Sequence, residues 1–313
     1  TLNETYHNFS IIEDLCKVDT RHPDYDNDRM LYPTERKKLR DIVRRARNGV
    51  NTVEYRLKPY KAGRYYPKDG RACYQSMYNV VRRLVLDGKA TSIDGVNIQP
   101  TLLNQLVKRH SDQSFNCLNK YVTDREGCRE EVMRAYNVDK DTVKNLFIRM
   151  CFGGSPAEWL KEHVEDQNVR VSSCGFVKGF HDELQLIQRE VALRFPNYKT
   201  FEKIAEDKLK EGHVAERTAL ALYLQDQERR IIEVVYRWCV NQGFTVRSLI
   251  HDEVLVDRVD ESKLDLTALS AYVRDKTGYT IVFESKQTVP SDEDLAWFDR
   301  HKPFMTDNDE NMR

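Results

Sequence analysis

Ser248-Leu249-Ile250-His251-Asp252-Glu253-Val254-Leu255-Val256 sets two apolar runs around a charged His-Asp-Glu tip. The Leu, Ile and Val residues on either side predict paired strands, and three residues between them suit a tight hairpin. Asp252 then stands at a fixed turn. A carboxylate on a rigid hairpin can bind a divalent cation once a second acid arrives from another strand. Asp94 is that partner: it ends the strand Ala90-Thr91-Ser92-Ile93 and precedes Gly95, whose missing Cβ lets the backbone approach a ligand. Two strand-borne carboxylates can hold a pair of Mg²⁺ ions, one activating an attacking hydroxyl and the other stabilising the leaving oxygen, which suits phosphoryl transfer.

The chain of 313 residues is long enough to bury a real core as one large domain or two packed subdomains. Lys plus Arg and Asp plus Glu are both 50, so net charge decides nothing about nucleic acid and the local clusters must. Basic residues crowd Arg36 to Arg47, Arg56 to Arg71 and Lys199 to Lys210, while acids crowd Asp292 to Glu310. Seven cysteines show no Cys-x-x-Cys pair and no zinc-finger spacing to a His, which predicts free thiols in a reducing, intracellular compartment. No run approaches the ~20 apolar residues of a membrane span, and no membrane partner is expected. A start at Thr1 suggests a piece of something longer.

Residues 1 to 31, with Asp24, Asp26 and Asp28, read as an irregular arm, and order is expected from Pro33. Leu39, Ile42, Val43 and Ala46 predict a basic amphipathic helix over Thr34 to Asn48, and Met77, Val80, Val81 and Leu84 another over Cys73 to Asp87. Helical patterns dominate after Pro100: Thr101 to Arg109, Arg129 to Tyr136, Thr142 to Cys151, Pro156 to Val164 and Glu183 to Phe195. A long helix over Ala215 to Asn241 feeds the Phe244 to Ile250 strand and the hairpin. Ser262 to Lys276 predicts a helix, and Tyr279 to Glu284 a final strand. This order fits an α+β platform interrupted by a helical subdomain.

The helical insertion carries matching cations. Lys140 and Lys144 lie four apart, and Phe152-Gly153-Gly154 follows just over two turns later, so one helix face offers charge for phosphate oxygens and a ring for a base. Taken together these residues resemble the A-family DNA polymerases. Asp94-Gly95-Val96-Asn97-Ile98-Gln99 is similar to the first palm motif, Lys140-x3-Lys144-x7-Phe152-Gly153 to the nucleotide-binding finger helix, and His251-Asp252-Glu253 to the last palm motif. Glu216-Arg217-Thr218-Ala219 with Gln225 resembles the family's Glu-Arg-x-Ala helix and its primer-reading glutamine. Gly63-Arg64 and Trp297 add further likeness, over roughly residues 60 to 302.

The resemblance implies a right-hand architecture, with an antiparallel-sheet palm, inserted helical fingers, a reduced or missing thumb and no proofreading domain. Expected boundaries are 1–55 for the arm and basic helix, 56–102 for the first palm segment, 103–213 for the fingers, and 214–313 for the second palm segment with an acidic tail. The Thr34 to Asn48 helix is expected to supply what thumb there is. The implied activity is primer extension with dNTPs, on a primer-template and with further replication proteins as partners. Implied metal ligands, for two Mg²⁺ ions or Mn²⁺ in their place, are Asp94, Asp252 and the Gly95 carbonyl, with Glu253 in support. Lys140 and Lys144 would meet the triphosphate, Lys144 also protonating pyrophosphate. Ile148, Phe152 and Gln99 would line the nucleotide, Arg64 and Gln225 would read minor-groove acceptors common to all base pairs, and Arg217 and His251 would hold template and primer backbone.

Gln99 stands where the family usually has a glutamate that excludes the ribose 2′-hydroxyl, and Lys140, Phe152 and Ile148 also depart from its pattern. Phage-type single-subunit RNA polymerase or reverse transcriptase are related alternatives, and an inactive nucleic-acid-binding scaffold is one of another class. Taken singly, Asp252 and Asp94-Gly95 are ordinary turn signals, the lysines a solvated helix face and Phe152 core. Agreement in type, spacing and order across more than 150 positions favours the shared functional reading.

Overall fold

The computed structural model describes residues 1–25, 31–166, 168–207 and 215–306. Asp26, Asp28, the end of the Lys199 to Lys210 cluster, the 213/214 boundary and the acids after Thr306 lie outside them. Two compact units emerge: Thr1–Lys58, Tyr65–Val96 and Arg230–Arg313 form the first, and Pro59–Arg64 with Asn97–Arg229 the second.

The first unit begins at the N-terminus, where the sequence predicts an irregular arm. Instead β1 (Leu2–Thr5) and α1 (Phe9–Lys17) form at once, because Ile11, Ile12, Leu15 and Cys16 give α1 one apolar face. That face is buried in the same cluster as Leu39 and Ile42 of α2 (Pro33–Arg45), which starts on a proline whose missing N–H costs nothing in a first turn. β2 (Val50–Val53) pairs antiparallel with β1, and β3 (Tyr55–Arg56) with β4 (Tyr66–Pro67). Glu4 of β1 is fully buried, yet accepts from Tyr74 N at 2.8 Å, Ser248 Oγ at 2.8 Å, and Tyr6 and Tyr55 Oη at 2.9 Å.

The expected helix over 73–87 is split. A tight turn at Tyr74–Ser76 precedes α3 (Asn79–Leu86), which ends where Asp87 and Gly88 take left-handed conformations. β5 (Ala90–Gly95) follows.

The second unit is helical among its described residues: α4 (Ile98–His110), α5 (Asn116–Thr123), α6 (Arg125–Tyr136), α7 (Lys140–Cys151), α8 (Pro156–His163), α9 (Gly175–Leu186) and α10 (Tyr198–Asp207). Sequence periodicity missed α5 and α10. The helix expected over 183–195 starts earlier, as α9, and continues into a wide turn at Ile187–Val191. Asp139 caps α7 by accepting from Thr142 N, and Ser155 with Pro156 starts α8. Tyr121, Phe147, Phe176 and Phe180 form an aromatic core.

α11 (Ala215–Asn241) has its expected bounds, and the division between units falls within it. β6 (Val246–Ile250), β7 (Glu253–Asp257), α12 (Leu266–Thr277), β8 (Phe283–Gln287) and α13 (Asp292–Asp299) complete the first unit. Its main sheet is four-stranded and antiparallel, in the order β6-β7-β5-β8. The last strand is later than the expected Tyr279 to Glu284: Tyr279 and Ile281 are buried, but ladder pairing starts at Phe283. The described start of the acidic tail, Asp292 to Asp299, is helical, with Trp297 and Phe298 in the core and Asp294 paired bidentately to Arg83 at 2.7 and 2.5 Å.

Candidate active site

Antiparallel pairing sets acids abreast at one end of the main sheet. Asp94 of β5 is opposite Glu253 of β7 on one side and Glu284 of β8 on the other. Directly opposed residues share a face, with Cβ atoms ~5 Å apart. The turn is shorter than expected: Ile250 pairs with Glu253, so Glu253 belongs to β7 and only His251 and Asp252 connect the strands. His251 takes a left-handed φ of 56°, as a two-residue hairpin turn requires. The Asp252 carbonyl accepts from Gly95 N at 3.3 Å, tying the turn to the end of β5. Asp94, Gly95, His251, Asp252 and Glu253 are therefore together, and Glu284 joins them.

The acids disturb one another. Burial first, then the charges of Asp252, Glu253 and Glu284, push the Asp94 carboxyl up to about 7. Burial also raises Glu253, opposed by the Arg82 guanidinium 4.0 Å away and by a hydrogen bond with Ser92. Glu284 pairs with Lys286 at 2.5 Å. Like charges directly opposite destabilise a sheet, and a divalent cation would remove that cost. Among the described residues no three His, Cys, Asp or Glu side chains form a self-sufficient metal cage. Mg²⁺ needs none, because it usually takes one or two carboxylates together with waters and substrate phosphates. Asp94, Asp252 and the Gly95 carbonyl are oxygen donors of that kind.

In the second unit α7 buries Val143, Leu146, Phe147 and Met150 and turns Lys140, Lys144 and Ile148 outward, with Phe152 next in the same stripe. Ile148 is 49 % and Phe152 37 % exposed, so apolar surface sits in water beside the lysines. Lys140 pairs with Glu126 at 2.7 Å, whereas Lys144 makes no ion pair among the described residues. Two glycines follow for packing reasons. A Cβ on Gly153, whose φ is +79°, would come within 2.6 Å of the Arg217 side chain, and one on Gly154 would strike Arg149 Cγ. Phe152-Gly153 and Arg217 are thereby neighbours.

Arg64, Gln99 and Gln225 also gather, around acids the sequence reading missed. Glu228 accepts from Arg64 through both oxygens and from Gln99 Nε2 at 2.7 Å. Asp226 accepts from Gly63 N at 3.2 Å, and the side-chain carbonyl of Gln225 lies close by. The signal was Gln225-Asp226-Gln227-Glu228, polar residues in succession along a helix whose neighbours Leu224 and Ile231 are buried.

No family model matches the sequence. The chain is 25 % identical over 230 residues to "Putative helicase V13" of Sputnik virophage, a match covering 72 % of this chain and 28 % of that protein. Among solved structures it is similar to the POL domain of Pol1 from M. smegmatis, in complex with DNA primer-template and dNTP. The TM-score is 0.53 at 14 % identity, over 81 % of this chain and 50 % of that one. The fold is polymerase-like. The chain spans about a quarter of the virophage protein and half of the mycobacterial chain.

Proposed function

We propose that this chain is a template-directed nucleotidyltransferase, a DNA polymerase of the A-family type that extends a primer 3′-hydroxyl with dNTPs. The row Glu253, Asp94 and Glu284 with Asp252 at the adjoining turn carries the reading, on a fold similar to a DNA polymerase domain. In this reading the sheet unit is the palm and the helical unit the fingers. Asp94 and Asp252 hold Mg²⁺ or Mn²⁺, with Gly95 and Glu253 in support. When bound, such ions activate the attacking hydroxyl and stabilise the leaving oxygen.

The chain's own residues do the rest. Lys144, exposed on α7, neutralises triphosphate oxygens and gives a proton to departing pyrophosphate. Lys140 does the former after releasing Glu126. Phe152 and Ile148 cover the new base pair with apolar surface. Arg64 and Gln225 contact minor-groove acceptors, while Arg217 and His251 hold backbone phosphates. The exposed Lys37 of α2 is offered for a thumb's task, while the helix's apolar face is in the core.

The helicase name belongs to a relative of which the chain spans 28 %, and it stays with that protein. Primer extension on DNA and RNA templates tests the proposal. Growth with Mg²⁺ and dNTPs on DNA, lost in Asp252→Asn, is expected. Growth with NTPs and none with dNTPs moves the chain to the RNA polymerase branch. Degradation of labelled DNA without nucleotides makes it a nuclease, and primer-template binding without turnover makes it a scaffold.

A further inference from the structure

Glu228 of α11 is fully buried, and it gathers two residues that the polymerase reading sets beside the nucleotide and the base-pair edge. Its Oε1 accepts from Arg64 Nε at 2.5 Å; its Oε2 accepts from Arg64 Nη2 at 3.0 Å and Gln99 Nε2 at 2.7 Å. The bidentate pairing fixes the plane of the guanidinium. Asp226, two residues earlier, accepts from Gly63 N at 3.2 Å and pairs with Arg229 at 3.1 Å, so the backbone beside Arg64 is tied to the same helix.

The constraint on Gln99 is chemical. An ionised carboxylate only accepts hydrogen bonds, so the amide must turn its NH₂ towards Glu228 and its carbonyl away. Gln99 is half-buried, and that carbonyl accepts no hydrogen bond among the described residues. The group left to meet a ligand is an acceptor. With the opposite amide orientation, Gln99 would offer a donor.

We propose that Glu228 is a positioning residue for sugar selection. It holds Gln99 with the carbonyl outward, so that a ribose 2′-hydroxyl is met by a hydrogen bond and ribonucleoside triphosphates are substrates alongside deoxyribonucleoside triphosphates. The inference rests on the polymerase reading, which puts Gln99 against the sugar.

Single-nucleotide incorporation opposite one template base, with a dNTP and the matching NTP, tests it in the wild type, Gln99→Ala, Glu228→Gln and the double variant. The wild type is expected to use the NTP within about tenfold of the dNTP in kcat/KM, the scale a single hydrogen bond commands. Glu228→Gln frees the amide and shifts the ratio at least about fivefold against the NTP, through KM rather than kcat. In the Gln99→Ala background, Glu228→Gln leaves the ratio where it is, because it acts through residue 99. Where Glu228→Gln is insoluble, Glu228→Asp replaces it, its shorter side chain failing to span both partners. Equal losses for both sugars, or a shift that persists without Gln99, overturn the proposal. Efficient dNTP use with strict NTP exclusion overturns it while leaving the polymerase reading intact, and a wild type that incorporates neither overturns both.

Discussion

Asp94 sits where three strands converge their acids, so it should report the state of the site directly. Its carboxyl is raised to about 7, so the proton is held more tightly in the folded chain than in the unfolded one. The stability linked to it is therefore intact below the ordinary carboxylate range near 4 and lost as pH rises through about 7. In chelator, the melting temperature should fall between pH 5 and pH 8; Asp94→Asn should flatten that fall, and Mg²⁺ should offset it in the wild type. An unchanged slope in Asp94→Asn would separate this residue from the effect. Asp94 and Asp252 were legible because each stands at the end of a short apolar run beside a turn signal. Glu284 was not, because its place opposite Asp94 is a register between strands almost 190 residues apart in sequence. Glu228 was missed for a related reason: its partners lie 164 and 129 residues away.

At the scale of elements, α7 and its glycines divide function from packing. Lys144→Ala removes an exposed charge, so folding stability should move by less than ~0.5 kcal/mol while kcat/KM for dNTP falls on the order of 10²-fold. Gly153→Ala should do the opposite. It places a Cβ in a left-handed backbone and against the Arg217 side chain, costing roughly 1–3 kcal/mol by denaturant titration. The long helices could be read from their apolar spacing, and α11 matches its expected bounds. The final strand could not, because Tyr279, Ile281 and Phe283 alternate like strand residues although the first two are buried outside the ladder. Apolar alternation reports burial on one side, and pairing requires a partner that local sequence does not reveal.

For the whole molecule, the N-terminal segment is the largest revision. A polar composition concealed α1, whose Ile12 and Leu15 are fully buried in the cluster that also holds Val81, Leu84 and Trp297. Leu15→Ala should cost ~2–5 kcal/mol, and removal of residues 1–18 should give insoluble protein instead of a folded core lacking an arm. Glu4 links β1 to Tyr55, Tyr74 and Ser248, and burial pushes its carboxyl up to about 6. Its linked stability is intact below about 4.5 and lost through about 6, worth about 2 kcal/mol. Glu4→Gln should flatten that window in urea titrations across pH.

Catalysis by the acid row is the claim on which the rest depends, and Mg²⁺-dependent primer extension by wild type and Asp94→Asn side by side tests it most directly. A wild type that extends the primer and an Asp94→Asn variant that remains folded, binds primer-template and extends at least ~10³-fold more slowly are predicted. Equal extension by the two proteins would contradict it.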